Sequence, residues 1–212
     1  MKTKVLGLIA ICTIAATSFA APMTSEAATL IYDASLSGPA ESPPNASPGT
    51  GFAEITIDDV ANTMRVEVSF SGLLGTTTAS HIHCCTALPG SGTADVATTT
   101  PTFTGFPLGV TSGTYDFTFD LALASSYNPA FVTANGGTVA SAEAVLLAGL
   151  AADETYLNIH TTVVPGGEIR GFLEASATPL PAALPLFATG LGALGLLGWR
   201  RKRKIVDARV SP

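Results

Sequence analysis

Apolar and polar residues alternate along much of the middle of this chain. Met64, Val66, Val68 and Phe70 are separated by Arg65, Glu67 and Ser69, the period-two pattern of a strand with one buried face. Tyr115, Phe117, Phe119 and Leu121 repeat that pattern. Further strands are predicted over 30–36, 52–58, 79–83, 155–161 and 168–174, punctuated by clusters of Gly, Pro, Asn and Ser. About seven short strands predict an all-β, antiparallel β-sandwich. Residues 141–151 are rich in helix formers and predict one short connecting helix, while 101–113 reads as a long irregular loop.

The two ends are patterned differently. Residues 1–20 run from Lys2 and Lys4 through the apolar stretch 5–16 to the small residues Ser18 and Ala20, the three-part layout of a secretory signal peptide. Cleavage is expected after Ala20 or, second, after Ala27, and Cys12 would leave with the peptide. The apolar stretch is about a dozen residues, short of the roughly 20 that a spanning helix needs. Residues 21–28 form a linker, and 29–177 remain for one folded domain. Residues 180–199 are uncharged and long enough for a transmembrane helix, with Trp199 at the interface. Arg200, Arg201, Lys202, Arg203 and Lys204 then stop transfer and hold the tail 205–212 in the cytoplasm. Together these ends predict an exported protein, first a membrane-anchored precursor and then at the cell surface or extracellular.

Charge sharpens the picture. The net charge of −6 conceals a domain with 14 acidic and 2 basic residues between Thr29 and Thr178, a formal −12. Such a surface repels phosphate backbones, so nucleic acid is excluded as a partner. It keeps an exported domain soluble and is compatible with cations or basic partners.

Residues 178–204 resemble the PEP-CTERM class of sorting signals. Pro179, Leu180, Pro181 and Ala182, continued by Ala-Leu-Pro-Leu-Phe-Ala-Thr-Gly-Leu191, are similar to its VPLPA variant, with Thr178 where that variant has Val. The resemblance implies recognition and cleavage by an exosortase-type membrane enzyme. It also implies association with exopolysaccharide or other matrix components.

Three stretches of the domain resemble the CHRD family, a module first noted in chordin and widespread in bacterial exported proteins. They are Leu36-Ser-Gly-Pro-Ala-Glu-Ser-Pro-Pro44 with the following 49–58; Phe70-Ser-Gly-Leu73 leading to Ala79-Ser-His-Ile-His83; and Tyr156-Leu-Asn-Ile-His-Thr161 followed by Gly166-Gly-Glu-Ile-Arg-Gly171. The resemblance implies an immunoglobulin-like sandwich and no settled activity.

All three histidines of the chain, His81, His83 and His160, lie in those stretches. Alternation puts His81 and His83 on one face with Ile82 toward the core, and Tyr156, Asn158 and His160 on the outward face of a second strand. If the strands are neighbours, the imidazoles converge on a site suited to copper or zinc. The alternative is that they hydrogen-bond to neighbours such as Asn158, Thr161, Glu168 and Arg170, with Glu168 and Arg170 pairing to each other. His-x-His on a sandwich strand is similar to copper-zinc superoxide dismutase, yet no further histidine is present to complete a bridged copper site. Cys84 and Cys85 follow directly and are the only thiols left after export, so they form a vicinal disulfide, bridge to another chain or join a metal site.

No Gly-x-Ser-x-Gly elbow, phosphate loop or His-Glu-x-x-His occurs, so no catalytic or organic-cofactor residue is named and the chain is expected not to be an enzyme. Three functions stay open: a structural or binding protein of the envelope or matrix, a metal-binding protein with a redox role, and a carbohydrate-binding module.

Overall fold

The computed structural model describes residues 29–176. The expected signal peptide, sorting motif, transmembrane helix and basic tail lie outside the described residues. Among those described, no helix is long and apolar enough to cross a membrane.

Among the described residues eight strands form: β1 (Thr29–Ser37), β2 (Thr50–Asp58), β3 (Thr63–Ser71), β4 (Thr77–Cys84), β5 (Gly113–Asp120), β6 (Thr155–Thr161), β7 (Ile169–Phe172) and β8 (Glu174–Ala175). Every ladder is antiparallel, in the order β4-β6-β7-β1-β2-β3-β5, with β8 beside β1. β7 meets β1 through a single pair, Ser37 with Arg170, so a narrow seam joins β4-β6-β7 to β1-β2-β3-β5. Residues from both parts of the sheet close on one core.

The period-two reading of 64–70 holds residue by residue. Met64, Val66, Val68 and Phe70 are buried, as are Ala53, Ile55 and Ile57 on β2 and Tyr32, Ala34 and Leu36 on β1. Each large apolar side chain on these faces contributes about 1.5–3 kcal/mol by leaving water. β5 departs from the pattern at Phe117, which is 36% exposed.

Several expectations are corrected. The strand expected over 168–174 is two strands, because the chain changes partner at Leu173. β7 pairs with β6, and β8 pairs with β1. Glu168 stands outside the strand. Helical structure is also more extensive than one helix over 141–151. It comprises a 3₁₀ turn at Ala124–Ser126, α1 (Pro129–Ala134) and α2 (Val139–Ala151). The missed signals are local. The Asn128 side chain caps α1 by accepting from Ala130 N, with Pro129 in the first turn. Thr138 and Ser141 form a reciprocal capping box that starts α2 earlier than its alanine-rich run announces.

Candidate metal centre

β4 and β6 are neighbours, with His81 opposite Asn158, His83 opposite Tyr156 and Ala79 opposite His160. Ile82, Leu157 and Ile159 point into the core and are wholly buried. The other face of this strand pair therefore carries His81, His83, Tyr156, Asn158 and His160 together. The His81 ring centroid lies 5.0 Å from that of His160 and 5.6 Å from that of His83, and His83 and His160 are 6.2 Å apart. One ring nitrogen from each lies within 4.8 Å of the others.

That face was expected to look outward, and this is corrected. His81 and His83 are 7% and 8% exposed, and Tyr156 and Asn158 are buried too. The chain after β4 runs back along that strand's free edge. Cys84 N donates to Asp95 O, Ala97 N to Ile82 O and Phe103 N to Ser80 O. This satisfies an edge that would otherwise stay unpaired and places the Ala94 and Pro101 carbonyls over the histidines. From the other side, Arg170 stacks 4.7 Å over the Tyr156 ring, which itself stacks on His83 at 4.6 Å.

The histidines' partners are backbone carbonyls, not the side chains expected. His81 Nε2–H donates to Pro101 O at 2.7 Å, His83 Nδ1–H to Ala94 O at 2.9 Å and His160 Nδ1–H to Pro165 O at 2.9 Å. A carbonyl can only accept, so those nitrogens carry the hydrogens, and in a neutral ring the other nitrogen carries a lone pair. Those other atoms, His81 Nδ1, His83 Nε2 and His160 Nε2, are shut off from solvent and have no hydrogen-bond partner among the described residues.

Burial keeps the rings neutral. It lowers His81 to about 4 despite the Pro101 hydrogen bond, with His160 and His83 adding to the effect. It lowers His83 to about 4 likewise, against the Ala94 hydrogen bond and with help from His160 and Arg170. His160 is lowered by burial, opposed by its bond to Pro165. Three clustered neutral imidazoles, each oriented by a backbone carbonyl at one nitrogen and each left with a buried, unpartnered lone pair at the other, match what a metal-ligating histidine requires.

Glu168 and Arg170 do not pair with each other. Glu168 accepts from Ser47 Oγ, Thr161 Oγ1, Leu74 N and Gly75 N. Arg170 donates to Ala40 O at 2.6 Å and Gly92 O at 3.0 Å, and faces Glu41 at 3.8 Å. Glu41 is buried and has one oxygen without a partner, as does Asn158. Sequence reasoning missed Glu41 because its turn, rich in Pro and Gly, carries no periodicity to place it.

Cys84 and Cys85 are joined to each other by a disulfide. Cys84 is buried toward the core, on the opposite side of β4 from the histidines, and the pair rests on α2 at Gly149. The cysteines are thus not part of the histidine cluster.

No curated protein and no solved structure matches the chain. The CHRD domain family matches residues 32–173, which contain all three histidines and both sides of the β4–β6 ladder. This chain belongs to the CHRD domain family.

Proposed function

We propose that the chain is an exported, surface-sorted CHRD protein of the cell envelope or matrix whose domain binds one copper or zinc ion through His81, His83 and His160. One observation carries the metal: the three histidines bring one ring nitrogen each to within 4.8 Å of one another, and each ring also has a buried nitrogen with no partner among the described residues. A buried acceptor left without a partner costs about 1–3 kcal/mol. Three of them side by side are tolerated when something else occupies the space between. The role is binding, not catalysis.

Export and sorting rest on the two ends of the sequence. The signal-peptide layout of residues 1–20, the VPLPA-like residues 179–182, the apolar stretch 180–199 and the basic run 200–204 together support handling by an exosortase-type enzyme and display among exopolysaccharide or matrix components.

Melting curves test the binding reading. A ligand that binds only the folded state raises the melting temperature by mass action. Copper or zinc should therefore raise it for the full chain and leave His160→Ala unmoved. Equal shifts in both, or in neither, contradict it. Fractionation tests the address: deleting residues 180–212 should release the domain in soluble form from the membrane fraction, and equal membrane retention contradicts it.

A further inference from the structure

Resting on the metal-binding reading above, we propose that the three-histidine site selects monovalent copper, Cu(I), held by three imidazole nitrogens without a bound water, over Zn(II) and Cu(II). The donor set is the first reason. Among the described residues no carboxylate or thiolate joins the cluster, so the ligands bring no negative charge to the ion. The Born cost of burying an ion rises with the square of its charge, about fourfold from a monovalent to a divalent ion. The nearest cation, Arg170, is faced by the buried Glu41 carboxyl at 3.8 Å, so its surroundings offer a divalent ion no compensating charge of their own. Arg170 lies 4.7 Å over Tyr156, which stacks 4.6 Å from His83.

Coordination number is the second reason. Zinc completes a tetrahedron, taking water as its fourth ligand when protein supplies three, and Cu(II) prefers a tetragonal set. The space here does not offer that fourth place. Three atoms within 4.8 Å of one another always leave a point no more than about 2.8 Å from each, and contraction from there to the usual 2.0–2.1 Å metal–nitrogen distance needs side-chain shifts of at most about 0.8 Å. His81 Nδ1, His83 Nε2 and His160 Nε2 are shut off from solvent, so no water-sized space touches them. A bare ion fits a gap that a water molecule does not. Cu(I) is closed-shell, accepts three-coordination and carries one charge.

The test uses the purified full chain. Cu(I), maintained with ascorbate, is titrated against a chromogenic cuprous chelator, and Zn(II) against a zinc indicator. The loaded chain is then freed of ascorbate and exposed to air in an electron paramagnetic resonance tube. The expected result is one equivalent of Cu(I), bound about a hundredfold or more tighter than zinc, lost in His160→Ala, and still silent in air. Zinc bound as tightly as Cu(I), or a cupric signal growing in on exposure to air, overturns the preference for Cu(I) while leaving a metal site in place. Failure of the full chain to bind either ion overturns the preference and the metal-binding reading together.

Discussion

Ser47 donates its hydroxyl hydrogen to Glu168 Oε1 across 2.6 Å, tying the segment after β1 to the approach to β7. Thr161 donates to Oε2 at 2.6 Å, and the backbone N–H groups of Leu74 and Gly75 complete a set of four donors around a wholly buried carboxylate. Burial alone would raise the Glu168 carboxyl, and the four hydrogen bonds outweigh it and hold it below the ordinary range. Three connections that shape the end of the sandwich thus meet on one side chain.

Glu168→Gln is therefore expected to cost about 2–4 kcal/mol. A hydroxyl can turn to accept, but an N–H cannot. Whichever way the new amide sits, its NH₂ group faces either Leu74 N–H or Gly75 N–H. Urea denaturation of the two chains measures the difference, and a loss under about 1 kcal/mol would contradict the assignment.

The metal-free domain should lose stability in acid. His81 and His83 take up a proton near 6.5 when unfolded but only near 4 when folded. The unfolded state thus binds more protons between those values, so stability is full above 6.5 and falls as pH drops toward 4. Each imidazole contributes on the order of 2–3 kcal/mol to that fall. Glu168, lowered in the folded state, adds a further loss below its ordinary value. Melting temperature followed from pH 7.5 to 4 checks this; a flat profile for the metal-free chain would refute it.

Glu41 works in the opposite direction. Burial raises its carboxyl to about 7, and the Arg170 charge and a backbone hydrogen bond only partly offset this. The folded state holds that proton while the unfolded state releases it near 4.5, so the contribution is present below 4.5 and lost as pH rises through 7. Glu41→Gln, which never ionises, should gain on the parent chain between pH 4.5 and 7.5. Paired denaturation curves at those two values would show it, and a constant difference would mean that Glu41 titrates normally.

Gly149 lets α2 lie against the Cys84–Cys85 disulfide. A Cβ at that position would fall 2.6 Å from both sulfurs and 3.2 Å from Thr155 Cγ2. Gly149→Ala should cost about 1–3 kcal/mol through overpacking. Adding Cys84→Ala and Cys85→Ala removes the obstructing atoms, so the alanine at 149 should then be far better tolerated. A double-mutant cycle with no interaction energy would contradict the contact.

Much of this was legible in the sequence because it depends on strand periodicity. Alternation alone puts Met64 and Val66 inward and gives His81 and His83 on β4, and His160 on β6, positions away from the core; that the two strands are neighbours, which brings the three onto one face, came only with the structure. Whether that face meets water was not legible. The covering chain after β4 is held by backbone carbonyls at Ala94 and Pro101, and any residue type supplies a carbonyl. The same limit explains Glu168, two of whose partner segments, at Ser47 and at Leu74–Gly75, are distant in sequence, and Glu41, whose burial against Arg170 is decided by tertiary packing rather than by its own neighbours.

The most direct measurement is the metal content of the full chain purified from an oxidising compartment, determined by elemental analysis beside His81→Ala, His83→Ala and His160→Ala variants whose circular dichroism shows the same fold. About one equivalent of copper or zinc in the parent chain, lost in each variant, is the expected result. A well-folded parent chain that holds no metal after exposure to both ions, or variants that retain a full equivalent, would contradict a three-histidine metal centre.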